Sequence, residues 1–138
     1  NYLGELGRYF SDKNNEWGAQ LDFSARPVRD LFVSNAAYWI DEYRFDGLRL
    51  DATQCIIDPS EEHVVTELTR AARAAAGERS IVLIAENEPQ HARLARPVSQ
   101  GGLGLDALWN DDFHHSAFVA LTGRAEAYMS EYKGTPQE

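Results

Sequence analysis

Residues 46–52 read Asp-Gly-Leu-Arg-Leu-Asp-Ala, DGLRLDA. Leu48 and Leu50 alternate with Gly47, Arg49 and Asp51, which is the period of a strand. A charge on a buried strand is costly unless it is paired. This strand carries its own partner, because Arg49 and Asp51 lie two apart and project to the same side. Arg49 can donate to the Asp51 carboxylate, keep it ionised and fix its rotamer. An ordinary ion pair at a sheet end would satisfy the same pattern. A second strand tips the balance toward chemistry: Ile81–Ala85, IVLIA, runs straight into Glu86. A carboxylate ends each strand, and a crossover of helix length separates them.

Working outward, residues 1–23 are rich in Gly, Asn, Asp and aromatics and show no sustained period, so they read as a long ordered loop. Tyr2, Tyr9, Phe10, Trp17 and Phe23 argue against disorder there. A helix is predicted from about Pro27 to Tyr43, with Val28, Leu31, Phe32, Asn35, Tyr38, Trp39 and Tyr43 as its stripe and its Tyr and Trp residues in the core. A second helix is predicted from Asp58-Pro59-Ser60-Glu61, which combines a cap, an early Pro and a capping-box Glu, and it ends at Gly77. Val64, Val65, Leu68, Ala71, Ala72 and Ala75 form its buried face, and His63 reads as solvated. Pro89 should open a short helix to about Arg96. Gly101, Gly102 and Gly104 break the chain but make no phosphate loop, because LDALW after them reads as a third strand, Leu105–Trp109. A last helix runs to Thr122 and stops at Gly123, before a polar tail.

Strands alternating with helices imply right-handed crossovers and a parallel sheet, with polar residues at the carboxyl ends where such sheets place chemistry. The fold class is therefore α/β. Three parallel strands leave two edges and little cover, so the chain is expected to be the central segment of a larger (β/α)8 TIM barrel. Alone it should be inactive and poorly folded.

At 138 residues the chain has the length of one domain, and 43% hydrophobic with 25% charged residues is a globular composition. Its 13 Lys and Arg against 22 Asp and Glu give a net charge of −9, which disfavours nucleic acid. The longest apolar runs are only a few residues, so no membrane partner is expected. The start, NYLGELGRYF, shows no signal peptide. Cys55 is the only cysteine. It cannot form an internal disulfide and agrees with a cytoplasmic location, where packing beside Ile56 and Ile57 accounts for it.

Neighbouring parallel strands lie about 4.8 Å apart, so Asp51 and Glu86 could approach the roughly 5–5.5 Å spacing of a retaining glycosidase pair. Arg49 suits Asp51 to a nucleophile's part. Glu86, beside Asn87 and Glu88 at the end of an apolar strand, suits a proton donor's. Asp111, Asp112, His114 and His115 include usable metal ligands but lack a metal-site spacing. Neither a metal nor an organic cofactor is expected.

DGLRLDA followed by IAENE resembles the second and third signature regions of the alpha-amylase superfamily, glycoside hydrolase family 13. Within it, DATQCIID and ALWNDDFHHS resemble the branch that releases trehalose. The resemblance covers nearly the whole chain. It implies that residues 1–23 are the loop after barrel strand 3 and that 24–138 run from helix 3 to beyond helix 6. It further implies Asp51 as nucleophile, Glu86 as general acid and base, and Arg49 orienting the nucleophile. Asp111, Asp112 and His115 would bind substrate. The implied reaction is hydrolysis of the alpha-1,4 bond next to the terminal trehalose unit of an oligosaccharide, maltooligosyltrehalose. An alpha-1,4-glucan branching enzyme, another alpha-amylase-family enzyme and a non-enzymatic carbohydrate-binding remnant remain as alternatives. The family's third catalytic Asp, and its His after the third strand, are not encoded in these residues.

Overall fold

A computed structural model describes residues 9–15 and 18–135, and Tyr2 and Trp17 of the aromatic loop lie outside them. The element order is β1 (Phe10–Asn15), β2 (Gly18–Leu21), α1 (Arg26–Asp41), β3 (Gly47–Leu50), α2 (Val64–Ala76), β4 (Val82–Glu86), β5 (Ala107–Trp109) and α3 (Asp111–Thr122). Three short 3-10 turns, Thr53–Cys55, Val98–Gln100 and Ala127–Glu131, lie between and after them. The stretch read as loop contains a hairpin: β1 and β2 pair antiparallel, with Phe10 against Leu21 and Asn14 against Ala19. Its polar residues carried no alternation of period two, which is why pattern alone missed it.

β3, β4 and β5 form the expected parallel sheet, with β4 in the centre. Leu48 lies opposite Leu83, and Leu50 opposite Ala85; Ala85 in turn lies opposite Leu108. Gly47 is required for this register. A Cβ there would lie 2.1 Å from the Val82 carbonyl oxygen, so any larger residue would push β3 off β4. Leu83 and Ala85 are fully buried, but Val82 is 51% exposed, so β4 is not covered along its whole length on both faces.

Helix α1 packs on α2. Two features differ from the sequence reading. First, α1 turns Val28, Arg29, Ala36 and Ile40 inward and leaves Leu31, Phe32, Tyr38 and Tyr43 exposed. The buried residues of α2 include the small Ala72 and Ala76. Second, α2 begins at Val64, with His63 as its cap. His63 is not simply solvated: its Nδ1 accepts from the Val65 N–H, and burial holds its pKa below the ordinary value. Asp58 still contributes to this helix start, accepting the Val64 N–H at 2.6 Å. The predicted 89–96 helix does not form. The carbonyls of Arg93, Leu94 and Arg96 instead accept from Leu103, Leu105 and Gly104, so tertiary pairing takes the acceptors a helix would have used. Gly102 permits that approach, because a Cβ there would lie 1.9 Å from the Arg96 carbonyl oxygen.

A buried charge cluster ties these layers. Arg29 reaches Asp58 at 2.5 Å and Glu67 at 2.8 Å, with side-chain exposures of 8%, 0% and 12% respectively. It also donates to the carbonyls of Phe23 and Glu62, so its guanidinium is fully used. Burial pushes the Asp58 carboxyl up, but the Ser60 and Val64 donors and Arg29 outweigh it and leave Asp58 below its ordinary value of 3.8. A carboxylate held low in the fold stabilises it above the unfolded pKa, and that contribution is lost as pH falls through the folded value. Arg29→Met should therefore cost about 3–5 kcal/mol at neutral pH by stranding the buried Asp58 carboxylate and leaving Glu67 only its exposed partner Arg26. Denaturant melts of the protein containing this segment should show that loss, and it should shrink below pH 3.8 as Asp58 protonates. A melt unchanged by Arg29→Met would refute the role of the cluster.

Candidate active site

Strand β3 delivers Asp51 and β4 delivers Glu86 to the same edge, since their register, continued one step past Leu50 and Ala85, sets the two carboxylates opposite each other. The chain turns sharply after Asp51. Ala52 has φ +45°, a left-handed backbone that a residue with a side chain adopts only at a cost. The Ala52 N–H donates to Glu86 Oε2 at 3.0 Å, so that turn holds the second carboxylate. Thr53 Oγ1 donates to the Glu86 carbonyl at 2.6 Å and accepts from Asn87 Nδ2 at 3.1 Å. Asn87, 1% exposed, in turn accepts the His91 N–H at 2.8 Å. Sequence reading had no signal for this brace, because Thr53 and Asn87 are ordinary polar residues until the fold joins them.

Arg49 does more than the strand pattern implied. Its Nη1 donates to Asp51 at 2.7 Å and its Nη2 reaches Glu86 at 2.8 Å. The guanidinium also sits 5.3 Å from the ring centroid of Trp109, the last residue of β5. One side chain thus meets the carboxyl ends of all three parallel strands. Glu86 shares the cation assigned from sequence to Asp51 alone. The two acids differ instead in exposure, with the Asp51 side chain 77% open to solvent and that of Glu86 23%.

The carboxylates line an open cleft of roughly 780 Å³ that also includes Cys55, Glu88, Asp111, His115 and Tyr128. Asp111 and Asp112 occupy the first turn of α3, whose cap is the Asn110 side chain accepting from Phe113 N–H at 2.8 Å. Negative charge there is favoured by the helix dipole. Of the three residues expected to bind substrate, Asp111 and His115 line the cleft, and Asp112 does not. Its oxygens accept from Gln90 Nε2 and Tyr132 Oη, both at 2.7 Å. Tyr128, Glu131 and Tyr132, around the last 3-10 turn, are cleft residues that sequence reading missed. The four-residue spacing of Tyr128 and Tyr132 was the one available clue, and nothing in it pointed to a cleft.

A parallel sheet whose carboxyl edge carries this joined acid pair is what the alpha-amylase-family resemblance of DGLRLDA and IAENE leads one to expect. A crystal structure described as a putative alpha amylase from Salmonella typhimurium is similar to the chain, with TM-score 0.80 and 32% identity over 94% of this chain and 23% of that one. Among the particular proteins that the chain resembles are malto-oligosyltrehalose trehalohydrolases. The one from Deinococcus radiodurans is 40% identical over 136 residues, 97% of this chain and 22% of that protein. The one from Mycobacterium tuberculosis is 36% identical over 137 residues, 96% of this chain and 24% of that protein. The chain thus spans about a quarter of the length of these curated relatives. No protein-family model matches it.

The Tyr132 hydroxyl is pushed up to about 12, chiefly by donating to Asp112, with burial and nearby carboxylates adding to the shift. A raised tyrosine pKa means that its tether is intact below the ordinary value of 10 and lost as pH rises through about 12. Tyrosinate absorbance titrated in wild type and in Tyr132→Phe should differ by one late step near pH 12. A difference step near pH 10 would show that the Asp112 tether does not hold.

Proposed function

We propose that this chain is the central segment of a (β/α)8 TIM barrel in a cytoplasmic malto-oligosyltrehalose trehalohydrolase. Residues 1–23 follow barrel strand 3, and 24–138 run from helix 3 to beyond helix 6. The reaction is hydrolysis of the alpha-1,4 bond next to the terminal trehalose unit of maltooligosyltrehalose, with retention at the anomeric carbon. The observation that carries this reading is the single guanidinium of Arg49 holding Asp51 and Glu86 together across adjacent parallel strands.

The roles are those that the family resemblance implies, set on two acids of different exposure. Asp51, the more open acid, attacks the anomeric carbon while Glu86 gives its proton to the leaving oxygen. Water enters after the leaving sugar departs. Glu86 now takes a proton from that water as the water oxygen bonds to the anomeric carbon, which breaks the ester to Asp51 and frees the sugar. Arg49 keeps Asp51 aimed at the anomeric carbon, and the Ala52 N–H fixes the Glu86 carboxyl. Asp111 and His115 lie within the same cleft and serve as hydrogen-bonding partners for sugar hydroxyls. The third carboxylate that the family resemblance implies would come from residues outside this chain.

Incubating the protein that contains this segment with maltooligosyltrehalose should release trehalose. New alpha-1,6 branches on amylose without trehalose would instead indicate a branching enzyme. Sugar binding without any turnover would indicate a binding remnant. In the active protein, Asp51→Asn should abolish turnover. Glu86→Gln should lower it by about 10²–10⁴-fold on natural substrate, with much of that loss recovered on substrates whose leaving groups need no proton. Equal losses on both substrate types would remove Glu86 from the acid's role.

A further inference from the structure

Thr53 and Asn87 are among the most deeply buried polar side chains of the described residues, 5% and 1% exposed. Neither lines the cleft that holds Asp51 and Glu86, although their neighbours Ala52, Gln54, Glu86 and Glu88 do. Burial costs each of them its hydration, so each must find its partners inside the protein. They find them in a chain of hydrogen bonds that has one direction. The His91 N–H donates to Asn87 Oδ1 at 2.8 Å, and a backbone N–H can only donate. That contact orients the Asn87 amide and leaves Nδ2 to donate to Thr53 Oγ1 at 3.1 Å. With its oxygen so engaged, the Thr53 hydroxyl gives its own proton to the Glu86 carbonyl at 2.6 Å.

Ala52 completes the grip. Its N–H holds Glu86 Oε2 at 3.0 Å, so two consecutive residues grasp the carboxylate and the main chain of one glutamate. The left-handed backbone of Ala52, φ 45° and ψ 48°, turns the chain back toward β4 for both contacts. Asp51 is held from its other side, by Arg49. Arg49 also touches Glu86, but a flexible side chain follows a carboxylate and does not set its backbone. Loss of the Thr53 hydroxyl would therefore free Glu86 while Asp51 kept its partner.

We propose that Thr53 and Asn87 are positioning residues for the proton-donor step, setting through the main chain of Glu86 where its carboxyl stands relative to Asp51. The inference rests on the glycosidase reading above and gives the pair no contact with substrate.

The test compares two substrates in the full-length protein: maltooligosyltrehalose, whose leaving sugar needs a proton, and a maltooligosyl fluoride, whose leaving group does not. Thr53→Val removes the hydroxyl at nearly constant volume. It should lower kcat on maltooligosyltrehalose about 10–100-fold, the scale of a small misplacement, with KM changed by less than about twofold. The fluoride should be cleaved at close to the wild-type rate, which also shows that the variant is folded. Thr53→Ser keeps the hydroxyl and should recover the natural reaction. Asn87→Asp keeps the shape but offers an acceptor where Nδ2 donated, so it competes for the Thr53 proton and should give the same selective loss at neutral pH. Equal losses on both substrates, a full natural rate in Thr53→Val, or no recovery with serine would overturn the positioning role. Amide hydrogen exchange of the unsubstituted protein needs no variant: the His91 N–H should be protected, and exchange as fast as in an unstructured loop would overturn the brace. A wild-type protein that cleaves neither substrate would refute the glycosidase reading itself, whereas a wild type active on both, with variants impaired equally on both, would refute the positioning role alone.

Discussion

Arg49 is the side chain on which the geometry of the cleft depends. It lies on β3 two residues before Asp51, pairs with Asp51 and Glu86, and stands over Trp109 of β5. That reach exists only in the observed register, where Leu50 meets Ala85 and Glu86 meets Trp109. A slip of one residue would turn Arg49 to the other face and separate it from both acids. Gly47 guards against the slip by leaving no room for a Cβ beside Val82. Energetically the pairings are modest. The Arg49 side chain is 39% exposed and that of Asp51 77%, so solvent screening limits that pair to about 0–1 kcal/mol. Its value lies in orientation rather than in stability.

Stability comes from a different arginine. Arg29 is buried with Asp58 and Glu67, and Asp58, in the loop between Asp51 and α2, accepts the N–H of Val64 where that helix begins. The cluster therefore anchors the far end of the segment whose near end holds the nucleophile candidate. Between those ends, the left-handed Ala52 and the Thr53–Asn87 brace fix Glu86 from behind. Exposed charges at the cleft are free to act because buried ones hold the frame.

The strands and the two carboxylates were legible because they depend on local pattern: alternation in DGLRLDA, an apolar run before Glu86, and glycines at the ends of α2 and α3. The inward face of α1 was not. Leu31 and Tyr38 mimic a core stripe, while the true face includes Arg29, whose burial makes sense only once Asp58 and Glu67 are beside it. The missing 89–96 helix has the same cause, since residues 103–105 take its carbonyls from a distance that no local pattern records. His63 as a cap and Tyr128 as a cleft wall were hidden likewise. What sequence concealed was tertiary pairing, and it concealed the shared use of Arg49 by Glu86 for the same reason.

The most direct measurement asks whether Asp51 becomes covalently attached to sugar. The full-length protein would be treated with a fluorinated glucosyl substrate bearing an activated leaving group, which slows hydrolysis of a glycosyl intermediate, and its peptides analysed by mass spectrometry. One glycosyl unit on the peptide containing Asp51, absent in Asp51→Asn, is the expected result. An adduct on another residue, or turnover that inverts the anomeric centre with no adduct, would contradict the pairing of Asp51 with Glu86 as nucleophile and acid.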